Sequence, residues 1–113
     1  MNGAAQTNST PAKAVRQMKT VWIVEDNEAD QFIAQKLLEV ADKRIAVKIF
    51  GNAVAAQQAL QKTKKKPWAI LLNLEMPVVD GWEFLAWLTE RQFNIPVVII
   101  TADNRSTSIA RAG

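Results

Sequence analysis

The feature that most constrains this chain is an alternation. Short apolar runs, Val21 to Val24 (VWIV), Trp68 to Leu74 (WAILLNL) and Val97 to Thr101 (VVIIT), are separated by longer stretches with helical spacing. Short apolar runs bounded by polar residues suit parallel strands buried on both faces. A looser alternation over Ile45 to Phe50, β-branched at Ile45, Val47 and Ile49 and carrying Lys48, reads as a short edge strand. Asn27 can cap a first helix whose first turn holds Glu28 and Asp30, with Phe32, Ile33, Leu37, Leu38 and Ala41 at helical spacing. Gly51 and Asn52 turn the chain into a second helix with a small-residue face, Ala53, Ala56, Ala59 and Leu60, ended by a lysine run and Pro67. Asp80 and Glu83 have capping-box spacing for a third helix, with Leu85 and Leu88 as its buried stripe. Pro96 opens the fourth strand, and Asn104 to Gly113 reads as the start of a fourth helix, where the sequence stops.

Strand and helix in strict alternation predict an α/β fold with right-handed crossovers: a flavodoxin-like doubly wound parallel sheet, three-layer α/β/α. It is expected to be truncated after the fourth strand and the start of the fourth helix. At 113 residues the chain suits one domain. Residues 1–19 read as a leader without acidic groups, in which a short helix over Ala12 to Met18 is expected, and residues 20–113 as the domain.

Composition removes whole classes of chemistry. With no Cys and no His, disulfides, thiolate or imidazole metal sites, and Ser–His or Cys–His nucleophiles are excluded. No apolar run approaches the roughly 18 residues of a membrane span, and no apolar signal-peptide core is present, so the expectation is a cytoplasmic protein with no membrane partner. The net charge of +3 includes Lys62, Lys64, Lys65 and Lys66 in one run. No aromatic interleaves with that run, and it reads as a solvated helix end, so no nucleic-acid partner is expected.

Polar residues then gather at strand ends: Glu25 and Asp26 after the first strand, Asn73 after the third and Thr101 after the fourth. In a flavodoxin-like order these ends meet at one edge of the sheet, where such folds place their sites. Paired carboxylates repel, and a hard cation such as Mg²⁺ relieves the repulsion. Helix capping explains the same pair equally well, and spacing alone leaves both readings open.

Three segments, VWIVEDNEAD, LLNLEMPVVDGWEFL and VVIITA, resemble the response-regulator receiver domains of two-component signalling. The resemblance runs from Thr20 to about Arg111, and Met76, Pro77, Asp80 and Gly81 stand where the family's phosphorylation loop has them. It implies that Glu25 and Asp26 bind Mg²⁺, that the Glu75 backbone carbonyl completes the metal shell, and that Thr101 is the hydroxyl switch. It implies contact with a histidine kinase, a phosphotransfer protein or another signalling protein, and no enzyme activity of the module.

The family's phosphoacceptor aspartate falls on Asn73. An amide is a poor nucleophile and forms no acyl phosphate, so phosphorylation is expected to be abolished and Mg²⁺ binding weak or absent. Asn73 is either the natural residue of a pseudo-receiver or an engineered Asp replacement, and with aspartate at 73 the module would be a Mg²⁺-dependent phosphoacceptor. The family also continues to a fifth strand ending in a Lys, usually with an aromatic residue, and to a fifth helix. Neither is found here, and self-association through an exposed fourth strand is the expected consequence. An unrelated nucleotide or flavin binder is disfavoured, because no glycine-rich loop follows the first strand.

Overall fold

The computed structural model describes residues 19–100 and the backbone of 107–111. Strands β1 (Lys19–Val24), β2 (Ile45–Phe50), β3 (Ala69–Asn73) and β4 (Pro96–Ile100) alternate with helices α1 (Glu28–Ala41), α2 (Ala53–Lys62) and α3 (Gly81–Glu90), and β5 (Thr107–Arg111) follows. The sheet order is β2-β1-β3-β4-β5, and the first four strands are parallel. This is the expected flavodoxin-like α/β sheet. Every strand of the parallel set therefore ends at one edge, and every helix returns to the other.

Local chemistry sets the boundaries. Asn27 Oδ1 accepts the Asp30 N–H at 2.9 Å and Asn52 Oδ1 accepts the Ala55 N–H at 2.8 Å, satisfying orphan donors at the starts of α1 and α2. The Asp80 and Glu83 capping box forms in both directions at the start of α3. At the other end of α2, the Lys66 ammonium donates to the Leu60 and Thr63 carbonyls at 2.8 and 2.7 Å. Gln92 takes a left-handed φ of 62° just after α3, and the Phe93 N–H then reaches back to the Leu88 carbonyl.

Side-chain alternation along the strands sends Trp22, Val24, Ile70, Leu72, Val97 and Ile99 to one face, under α2 and α3. There Phe84 and Leu88, one turn apart, are fully buried. Leu85 only flanks them, so Phe84 and not Leu85 is the deep anchor of α3. Trp82 is exposed while Trp87 packs against Phe84 and Phe93, as their spacing on one helix requires.

The opposite face is thinner. α1 buries only Ala34, and Phe32, Ile33, Leu37 and Val40 remain 54–85% exposed. Leu71, Val98 and Ile100 on that side of the sheet are only partly covered.

Two expectations for the end of the chain are corrected. Residues 107–111 form a strand and not the helix start expected over Asn104 to Gly113. β5 lies antiparallel to β4, with Pro96 opposite Arg111 and Ile100 opposite Thr107. An antiparallel return needs only a short connection, and it gives the β4 backbone a partner that a helix could not supply. β4 is consequently paired on both sides, so the unpaired fourth strand invoked for self-association is not found. The expected helix over Ala12 to Met18 lies outside the described residues.

Candidate functional site

Glu25 is the first residue beyond β1, held by its N–H on the Phe50 carbonyl and by the Gln31 amide on its own carbonyl at 2.7 Å. Its side chain is buried, and Oε2 accepts the Asn27 N–H at 3.0 Å. Asp26 follows in the loop, exposed. Asn73 is the last residue of β3, beside β1, and Glu75 lies two residues further on. The Asn73 side chain ties the four together: Nδ2 donates to Glu25 Oε2 at 3.0 Å, to the Glu75 carbonyl at 3.1 Å and toward Asp26 Oδ1 at 3.4 Å. Its Oδ1 accepts the Glu75 N–H at 3.0 Å.

This orientation of the amide follows from the chemistry of its neighbours. Three acceptors face one end of the side chain and a donor faces the other, so rotating the amide would set oxygen against oxygen and N–H against N–H. The Asn73 NH₂ group therefore sits at the point where Glu25, Asp26 and the Glu75 carbonyl converge. Burial raises the Glu25 carboxyl above its ordinary value of 4.5, and the Asp26 carboxyl beside it pushes the same way. Hydrogen bonds from the Asn27 N–H and the Asn73 amide oppose that rise.

The loop from β3 into α3 is tightly built. Gly81 donates to the Leu74 carbonyl at 2.9 Å, and a Cβ on Gly81 would lie 2.5 Å from both the Asn73 carbonyl oxygen and the Leu74 Cα. Only glycine lets α3 start this close to the site. Val78 is held at a φ of 70°, a strained conformation for a β-branched residue, and its side chain is exposed. It borders a shallow apolar hollow with Pro77 and Val54.

Of the five residues expected at the site, Glu25, Asp26, Asn73 and Glu75 come together, and Thr101 lies outside the described residues. Asn27 and Gln31 also hold Glu25 in place. Gln31 carries a weak signal, standing one helical turn beyond the Asn27 cap.

The family model for the response regulator receiver domain matches residues 21–112. The chain belongs to this family. Among relatives, this receiver sequence is 34% identical over 97 residues to a protein-glutamate methylesterase/protein-glutamine glutaminase 2 of Methanosarcina mazei, covering 85% of this chain and 25% of that protein. It is 30% identical over 98 residues to the response regulator Rcp1 of Synechocystis, covering 80% of this chain and 67% of Rcp1. The receiver fold superimposes on the Mn²⁺-bound form of Rcp1 with a TM-score of 0.66 at 32% identity, covering 76% of this chain and 67% of that one. The chain thus spans about a quarter of the methylesterase and two thirds of Rcp1.

Proposed function

We propose that this receiver domain, residues 20–113, signals by protein contact and is not phosphorylated at position 73, the position we assign to the phosphoacceptor. The observation that carries the reading is the Asn73 amide, whose NH₂ group is engaged by Glu25, the Glu75 carbonyl and Asp26. An amide oxygen has no lone pair available for attack comparable to a carboxylate's, and no acyl phosphate forms on it without loss of the nitrogen. The module itself is read as non-enzymatic and cytoplasmic. Its partners are proposed to be a histidine kinase, a phosphotransfer protein or another signalling protein.

The donor set fits a hard divalent cation. Glu25, Asp26 and the Glu75 carbonyl are all oxygen ligands, and the Mn²⁺-bound form of Rcp1 supports such a site. When bound, the ion would supply positive charge to the carboxylates. Here the NH₂ of Asn73 already supplies partial positive charge at that point, and admitting a metal requires the amide to turn or withdraw. Turning breaks its bond to the Glu75 N–H and leaves that donor facing another donor, a loss of about 1–3 kcal/mol. Weak or absent Mg²⁺ binding follows. Thr101 is proposed as the switch hydroxyl.

Incubation with a small phosphodonor and Mg²⁺, read by intact mass, tests this. No adduct is expected on the chain as it stands, while Asn73→Asp is expected to gain one phosphoryl group. An adduct mapped to residue 73 of the unmodified chain would sink the reading.

A further inference from the structure

Parallel wiring brings residues far apart in sequence to the amino edge of the sheet, the end opposite Asn73. Lys19 opens β1, Lys43 and Arg44 form the turn between α1 and β2, Lys62 ends α2, Lys64, Lys65 and Lys66 lead into β3, and Arg91 caps α3. The antiparallel return of β5 sets the Arg111 backbone opposite Pro96, at this same edge. Against these stand Asp42 and Glu90. Part of the charge is committed locally: Arg44 to Asp42 at 3.2 Å, Lys66 to the end of α2, and Arg91 over the Trp87 ring. Lys19, Lys43, Lys62, Lys64 and Lys65 are exposed, with no carboxylate within salt-bridge reach among the described residues. Trp68 stands among them, 53% exposed, with Lys19 Nζ 4.6 Å from its ring centroid.

We infer that this edge is a docking surface for an anionic lipid bilayer. The cations sit on loop ends across one end of a parallel sheet, and a flat anionic surface can meet them together. Each Lys or Arg near such a surface contributes about 1 kcal/mol. An exposed indole among lysines adds an amphipathic group suited to the headgroup region. Nucleic acid is less well matched. Strand-tracking sites stack successive bases on several aromatics, and base reading uses paired amide or guanidinium forks. Here one tryptophan is exposed, and Arg44 and Arg91, the arginines of this edge whose side chains are described, are already occupied. The sequence has no apolar span that would cross a membrane, and its lysine run contains no aromatic, so neither a membrane nor a nucleic-acid partner is expected from it. The fold supplies the aromatic by laying Lys19 over Trp68, whose backbone N–H donates to the Thr20 carbonyl at 2.8 Å. Docked this way, the acidic site points away from the bilayer.

The test is cosedimentation of the full chain with phosphatidylcholine vesicles, with and without about one third phosphatidylserine. Binding is expected only with the anionic lipid and is expected to fall steeply as salt is raised. Lys64→Gln with Lys65→Gln is expected to weaken it roughly 30-fold. Lys48→Gln, on the outer strand between the two edges, is expected to change it less than about twofold. Trp68→Phe should remove most of the fluorescence blue shift on binding, since the other exposed indole, Trp82, lies at the far end. Equal binding to neutral vesicles, equal losses for Lys48 and for the Lys64 and Lys65 pair, or tighter binding to a single-stranded oligonucleotide than to anionic vesicles would each overturn the inference.

Discussion

The two edges of the sheet are made from the same kind of turn and carry opposite charge. At the carboxyl edge the described charged residues are Glu25, Asp26, Glu28, Asp30, Glu75, Asp80 and Glu83, with no Lys or Arg among them; at the amino edge cations dominate. Helix polarity accounts for part of the sign at each end: all three helices start at the carboxyl edge and finish at the amino edge, with Glu28, Asp30 and Glu83 in first turns and Lys62 in a last turn. What helix polarity leaves over differs between the two edges. At the amino edge cations remain after caps and ion pairs are formed, spread outward and solvated. At the carboxyl edge Glu25 is buried against one amide, and the exposed Asp26 faces the same NH₂ group at 3.4 Å. One edge is a surface and the other a closed cluster.

Changes that separate the two edges follow in order of size. The largest is Gly81→Ala, whose added Cβ has no room against the end of β3; about 3 kcal/mol of stability should be lost in denaturant unfolding, with disturbance of the Asn73 amide resonance. At the other edge Lys66→Met removes two hydrogen bonds to the end of α2, and the thermal midpoint should register a loss of about 1 kcal/mol. Matching effects on the Asn73 amide from both changes would dissolve the distinction. Val78→Asn, which relieves a left-handed β-branched residue in the carboxyl-edge loop, should stabilise by about 1 kcal/mol.

The smallest effect is a pH dependence. The folded Glu25 carboxyl is raised, so the native state holds its proton more tightly than the unfolded chain does. Its contribution favours folding while it stays protonated and declines as pH climbs above the ordinary value of 4.5. Glu25→Gln should therefore gain stability at neutral pH, by less than about 1 kcal/mol, and match the parent in acid. A gain of equal size at both pH values would show that burial of the charge is not the cause.

Much of this arrangement was legible in the sequence. Apolar runs located three of the parallel strands and a β-branched alternation located the fourth, Ile45 to Phe50; the Asn27 and Asp80 caps and the Gly51–Asn52 turn located the helix starts, and Met76, Pro77, Asp80 and Gly81 carried the family likeness. Residues 107–111 were misread because five residues, TSIAR, contain too little periodicity to separate a strand from a helical turn, and their pairing with β4 decides the matter. The apolar stripe of α1 was legible as a stripe, but its exposure depends on what the rest of the fold places over that face. Asn73 was visible as a missing carboxylate. Its hydrogen bonds to Glu25, Asp26 and Glu75 were not, because they depend on the β1–β3 pairing and on the orientation of a single amide.

The central claim is that the Asn73 amide does for this acidic cluster what a cation would otherwise do. Thermal unfolding of the parent chain and of Asn73→Asp, each with and without Mg²⁺, tests it directly. Mg²⁺ is expected to leave the parent midpoint in place, and the Asn73→Asp midpoint is expected to be lower without metal and to rise when Mg²⁺ is added. A parent chain stabilised by Mg²⁺ as strongly as the Asp form, or an Asp form at least as stable as the parent without metal, would contradict it.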